Sequence, residues 1–260
     1  MLSIPYFRQI AKSNFKTLGA FTLVLCVFLT VLTNVFTPAT LSGVGNIVQG
    51  TVAGNILKGN SLVGFMANSF YAIMAILFPM VYSIMVANKL IAEKVDKGGM
   101  AAILSTPTKR SQITISSALY LILSLIVMWT VASLVGIIAA NYFQPDALDV
   151  DKFLMLNVGV VLYHLAISSI CFAASCIFNT SKNSLTYGGG LPLISFIVSL
   201  LVKLSGDLDF LKYFTLTTLF DTTKILDGSN YGANFWILGT ITITLYTVGI
   251  YYFSKKDLPL

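Results

Sequence analysis

The sequence predicts an all-α membrane protein with six transmembrane helices, and three observations carry that reading. The first is composition: 56% of the 260 residues are hydrophobic, 10% are charged and the mean hydropathy is +0.85. Soluble domains carry roughly 25% charged residues, and this chain falls far short of that. The second is a set of six uncharged runs, at about residues 18–36, 62–87, 113–139, 153–178, 186–202 and 235–253. At about 1.5 Å per helical residue most of them cross a hydrocarbon layer of roughly 30 Å, the fifth only just. The third is the sorting of cations between alternate loops. With both termini cytoplasmic, eleven Lys and Arg residues fall on the inner side and five (Lys58, Lys152, Lys203, Lys212 and Lys224) on the outer. Such an asymmetry sets orientation in membranes. The chain therefore reads as one transmembrane domain over residues 1–260, multi-pass in the cell membrane, with both ends in the cytoplasm.

Ahead of the first run, residues 1–17 read as an amphipathic interface helix. Ile4, Phe7, Ala11, Phe15 and Leu18 recur at helical spacing beside a basic row of Arg8, Lys12 and Lys16, the pattern of a helix lying flat on headgroups. The first run exceeds the roughly 7–15 residues of a signal-peptide core and reads as retained. Cys26, Cys171 and Cys176 sit inside apolar runs without metal-ligand spacing, as small packing residues do. Residues 37–61 are Gly-rich and nearly uncharged, a flexible lid at most, while Asp146, Asp149 and Asp151 mark a solvated turn. The fifth run opens on Gly188-Gly-Gly-Leu-Pro192, which suits either a hinge or the close approach of a neighbouring helix. Residues 203–234 carry two short apolar faces, Leu208, Leu211 and Phe214, then Leu216, Leu219 and Phe220. Neither piece is long enough to span. They fit helices that dip into the outer leaflet and return, or a surface amphipathic helix.

The stretch from 88 to 112 is the most densely charged of the chain. Lys89, Lys94, Lys97, Lys109 and Arg110 bracket a short apolar segment, Met100 to Leu104, introduced by Gly98-Gly99 and closed by Ser105-Thr106-Pro107. Two successive glycines weaken a helix by about 1 kcal/mol each relative to alanine, so the helix leaving the second run ends there. Pro107 suits the first turn of a following helix, with Thr106 as its cap. The result is a short helix between two breaks, shaped for another protein's groove or resting on headgroups.

The spacing Glu93-x5-Gly99-x4-Leu104-Ser105-x-Pro107-x2-Arg110 resembles the signature loop of type-2 ABC exporter permeases of the bacterial peptide and drug export type. Tyr251-Tyr-Phe-Ser-Lys-Lys-Asp257-Leu258 is similar to the ending of the same family, and the order of spans between the two fits as well. The resemblance implies a permease domain in which 88–112 is a cytosolic coupling loop between spans two and three. There Glu93, Gly99, Met100, Ile103, Leu104, Pro107 and Arg110 would engage a separate ATPase, which the interface helix would also touch. It implies re-entrant helices over 203–234, two ATPase subunits binding ATP and Mg, and a second permease chain, identical or related. No cofactor in this chain and no nucleic acid are expected; the remaining partner is the lipid bilayer. Asn68, Tyr71, Ser195, Phe196, Phe214 and Phe220 are the expected path and gate. A path without fixed charges but lined by Ser, Asn, Tyr and Phe suits an amphipathic substrate: a peptide toxin, an antimicrobial peptide, a lipid or a drug.

Between their ends the six runs contain no Asp, Glu, Lys or Arg, and His164 is the one titratable His. Such a residue is either a functional group or a hydrogen-bonding packing residue. A secondary carrier generally needs acidic or unwound ion sites at mid-membrane, and a metalloprotease needs clustered His and Glu, so both classes are disfavoured. The sequence has no Gly-x4-Gly-Lys-Ser/Thr phosphate loop, so the chain reads as a non-enzyme whose energy comes from another polypeptide. A non-transporting accessory, immunity or sensor protein would share the hydropathy and stays open.

Overall fold

The computed structural model describes residues 3–35, 61–204, 211, 215–229 and 231–258, without the side chains of 203 and 204. No strand occurs among them. Helix α1 (Ile4–Val35) is the first span, and α2 (Leu62–Ser69), a π-helical turn (Phe70–Met74) and α3 (Ala75–Leu90) form the second. Two short helices follow, α4 (Ala92–Asp96) and α5 (Gly99–Leu104). The third and fourth spans are α6 (Arg110–Phe143) and α7 (Val150–Ile177). Helix α8 (Ser181–Ser184), a second π-helical turn (Leu185–Gly189) and α9 (Gly190–Leu204) make up the fifth. A 3-10 turn (Leu216–Leu219) and α10 (Thr222–Leu226) precede the sixth span, α11 (Gly232–Lys255). Six helical stretches of 22 to 35 residues are thus long and apolar enough to cross a membrane.

Helix α7 is the hub. In its most apolar stretch 72% of the residues are buried, against 17% in the first and sixth spans. Its sequence explains the position, because Gly159, Ala166, Ser168, Ser169, Ala173 and Ala174 keep its surface low and let other backbones approach. Helices α3, α6 and α11 pack along it, and α1 packs on α6. Many hydroxyls in the spans return to their own helix, as Thr22 to the Leu18 carbonyl and Ser83 to the Pro79 carbonyl, each at 2.8 Å, which removes their need for an outside partner.

Several expectations change. The interface helix expected over 1–17 does not end before the first span; α1 runs without a break from Ile4 to Val35, since nothing between Lys16 and Phe21 stops a helix. Its packed stripe is also shifted: Tyr6, Ile10 and Asn14 are buried, whereas Ile4 and Phe15 are 71% and 72% exposed. The expected Pro107 helix start is likewise displaced. Helix α6 begins at Arg110, and the Lys109 amide donates to Gln112 Oε1 at 3.1 Å. Thr106 instead donates to the Ile103 carbonyl at 2.6 Å and closes α5.

The glycines of the fifth span separate into two kinds. A Cβ on Gly188 would lie 2.9 Å from Ala174 Cβ, and one on Gly189 would lie 2.9 Å from Ile84 Cγ2, while one on Gly190 would meet nothing within 4 Å. Close packing is therefore what Gly188 and Gly189 provide. Of the two apolar faces expected in 203–234, the first, including Phe214, lies largely outside the described residues, as does the lid over 37–61 except Ser61. The second face is the 3-10 turn with Phe220, and it packs against α7: a Cβ on Gly159 would touch Phe220, Ile225 and Phe235 at 3.1 Å.

Candidate functional site

Two regions stand at opposite ends of the second span. At one end are α4 and α5. The turn between them is made by Gly98, whose φ of 72° lies in the left-handed region where a side chain is strained. In α5, residues 100, 103 and 104 share one helical face. That face is turned inward, with Met100 fully buried in the core and Ile103 and Leu104 packed partly against it. The outward surface consists of Ala101, Ala102, Ser105, Thr106 and Pro107, all exposed. Of the residues expected to dock, Met100 is buried and anchors the short helix to its own chain, while the neighbouring Ala101 and Ala102 are exposed. Gly99 and Pro107 are exposed beside them.

The charged residues around α5 tie the loop down. Glu93 pairs with Lys97 one turn on at 2.6 Å, a hydrogen bond that raises the pKa of the exposed Lys97 ammonium. Lys94 donates to Tyr6 Oη at 3.0 Å and lies 4.8 Å above its ring, joining α4 to α1. Asp96 accepts from the Ser181 amide at 3.1 Å, and Asn88 donates to Ser181 Oγ at 2.7 Å, joining the same end of span two to the start of the fifth span. Arg110 does not point away from the protein. Its Nη1 donates to the Lys256 carbonyl at 2.6 Å, while the Lys256 ammonium donates to the Ile177 and Cys176 carbonyls that end α7. Burial lowers the Lys256 pKa, with the Cys176 thiol acting in the opposite sense. Arg8, Lys12 and Lys16 lie exposed in a row one turn apart on α1.

At the other end a cavity of about 310 Å³ opens between span two, α9 and the segment carrying the 3-10 turn. Asn68, Tyr71, Ser199, Thr217, Phe220 and Asp221 are among its walls. The π-helical turn sets Tyr71 into this wall, where its ring lies 6.2 Å from Trp129 in a stacked pair and 6.3 Å from Phe220. Ser195 Oγ accepts from the Leu216 amide at 2.9 Å, which fastens the 3-10 turn to α9. Phe196 is buried. Of the expected path residues, Asn68, Tyr71 and Phe220 thus meet at one cavity, Ser195 holds its rim, and Phe196 is no part of its wall. Sequence reasoning missed Thr217, Ser199 and Asp221; a Thr-rich stretch ending in a helix cap was the available signal.

A family model described as ABC-2 family transporter protein matches residues 7–258. The chain belongs to the ABC-2 family. Comparison with curated proteins finds no match. As an ABC-2 protein it is a multi-pass membrane component of transport machinery, and the matched region runs from the basic row of α1 to Leu258. The two stretches that carry the resemblance, 146 residues apart, meet physically in the Arg110 to Lys256 hydrogen bond. The intramembrane His164 of this ABC-2 chain has an explanation in local chemistry. Pro79 has no amide to offer the carbonyl four residues earlier, that of Ala75. His164 Nε2 lies 2.7 Å from that oxygen, and because a carbonyl only accepts, Nε2 carries the hydrogen.

Proposed function

We propose that this ABC-2 chain is the permease subunit of an ATP-driven exporter, carrying an amphipathic substrate outward with energy from separate ATPase subunits. On this reading the α4–α5 end is cytosolic, and the exposed face of Ala101, Ala102 and Ser105 receives the ATPase. The observation that carries it is the construction of α5: a helix of six residues anchored by buried Met100, with a small-residue face left outward on a charged loop. A face without long side chains admits close approach of a partner's groove, and the inward anchor keeps the helix from yielding when pushed.

Force on α5 reaches the spans by two routes. One is direct, since α4 and α5 lie between spans two and three. The other passes through Asp96 and Asn88 to Ser181, and so into the fifth span. From Ser181 to Ser199 is about 27 Å at about 1.5 Å per residue, enough to reach the cavity wall at the far end. Both routes use packed rods joined by hydrogen bonds, the kind of element that passes displacement without absorbing it. The segment from Leu216 to Leu226 serves as a re-entrant outer gate, and a second permease chain completes the path. The basic row of α1 meets anionic headgroups or the ATPase at the inner surface.

The double substitution Ala101→Glu with Ala102→Glu tests the docking face. Both positions are exposed, so folding and membrane insertion stay intact, while two carboxylates on a small-residue contact lower permease-stimulated ATP hydrolysis by about tenfold, or 1.4 kcal/mol. Unchanged stimulation with a co-purified ATPase would contradict the assignment.

A further inference from the structure

We propose that each copy of the chain holds, within itself, a binding chamber for a compact monocationic amphiphile at the end of the bundle remote from α5. The chamber is the cavity of about 310 Å³, a volume at the small end of the range of roughly 300–1,000 Å³ that ligand pockets span. Its walls come from one chain: α2 and the π-helical turn on one side, α9 on another, and the 3-10 turn with α10 on the third. This differs from a pathway between two permeases, because every described lining residue belongs to the one chain.

The chemistry of the walls selects the ligand. Tyr71, Ile76, Val202 and Phe220 offer apolar and aromatic surface for a hydrophobic body. Hydroxyls of Ser199, Thr217, Thr222 and Thr223 offer weakly polar, uncharged contacts around it. Asp221 supplies a carboxylate, and no Lys or Arg is among the described lining residues. An anion would therefore face a like charge across a low-dielectric wall, whereas a cation gains the carboxylate. Lys224 does not cancel the carboxylate. Its ammonium is 3.7 Å from Asp221 Oδ2 on a side chain that is 51% exposed, a loose surface pair that a ligand cation can displace. Asp221 Oδ1 meanwhile is used by the protein, accepting from the Thr223 amide, the Thr223 hydroxyl and the Lys224 amide as the cap of α10. One oxygen thus fixes the helix while the other faces an exchangeable cation.

The chamber also contains its own reporter. Trp129 and Trp236 are the chain's two tryptophans, and Trp236 is 80% exposed at the protein's surface while Trp129 is buried and stacked on Tyr71. In a Trp236→Phe background, emission comes from behind the cavity wall alone.

The inference rests on the transport reading only in casting the ligand as cargo; binding itself needs no ATPase and is measured without one. The probe is tetraphenylphosphonium, added to the purified chain in nanodiscs, with uptake by protein-free nanodiscs subtracted. Saturable binding of one cation per chain is expected, with a matching change in Trp129 emission. Ala72→Phe, which fills the cavity from span two, should abolish both signals. Asp221→Asn keeps the helix cap, since Asn caps as well as Asp, and should weaken binding about tenfold. Binding unaltered by Ala72→Phe, or affinity undiminished in Asp221→Asn, would overturn the proposal. Neither result bears on the docking face of α5, and loss of ATPase stimulation there bears nothing on this chamber.

Discussion

Pro79 and His164 are 85 positions apart in the sequence and form one local solution to a backbone problem. The proline removes an amide from the interior of span two, and the histidine of span four donates to the carbonyl left over. Replacing His164 by Leu should cost about 1–3 kcal/mol, the penalty of a buried acceptor without its donor. Pro79→Ala restores the missing amide, so His164→Leu should cost measurably less in that background, and a double-mutant cycle on thermal midpoints checks it. Equal costs in both backgrounds would show that His164 does something else. At this scale the sequence is readable for residue type but not for direction. It marked Met100 to Leu104 as a short apolar segment; which side of that helix meets the bundle depends on tertiary packing, and Met100, Ile103 and Leu104 turn inward while Ala101 and Ala102 are exposed. Arg110 was legible as a motif residue, while its acceptor, a backbone carbonyl 146 residues away, has no signature in sequence.

Among the elements, the spans were legible because hydrocarbon imposes length and polarity on every residue at once. Their ends were less so. Nothing between Lys16 and Phe21 signals a stop, and α1 continues through the expected junction. Pro107 lies before the helix it was expected to start, because Lys109 and Gln112 form the N-terminal bond two residues later. The fifth span permits a direct test of packing against hinging. Gly188→Leu would drive its side chain into Ala174 and Cys171 and should cost about 1–3 kcal/mol, seen as a lower thermal midpoint. Gly190→Ala meets open space and should leave the midpoint equal or higher, by up to about 1 kcal/mol, with transport retained. Loss of transport in Gly190→Ala without loss of stability would restore a hinge at this point.

For the whole molecule, class and span number followed from composition and hydropathy, and the family followed from two short motifs that meet at one end of the bundle. The site was only half visible. Asn68, Tyr71 and Phe220 were chosen for chemistry and do meet, yet the residues that complete the cavity belong to Thr-rich loop sequence whose placement against α7 depends on the gap at Gly159. The account joins a chamber at one end of the bundle to a short helix at the other through spans two, three and five. Its central claim is that an ATPase sits on the outward face of that helix. A photo-crosslinking amino acid at Ala102, activated in intact cells, tests this most directly. The account predicts an adduct with a polypeptide that binds ATP, and no labelling of an Ala102→Cys variant by a membrane-impermeant thiol reagent added outside. Labelling from outside, or crosslinks to lipid alone, would contradict it.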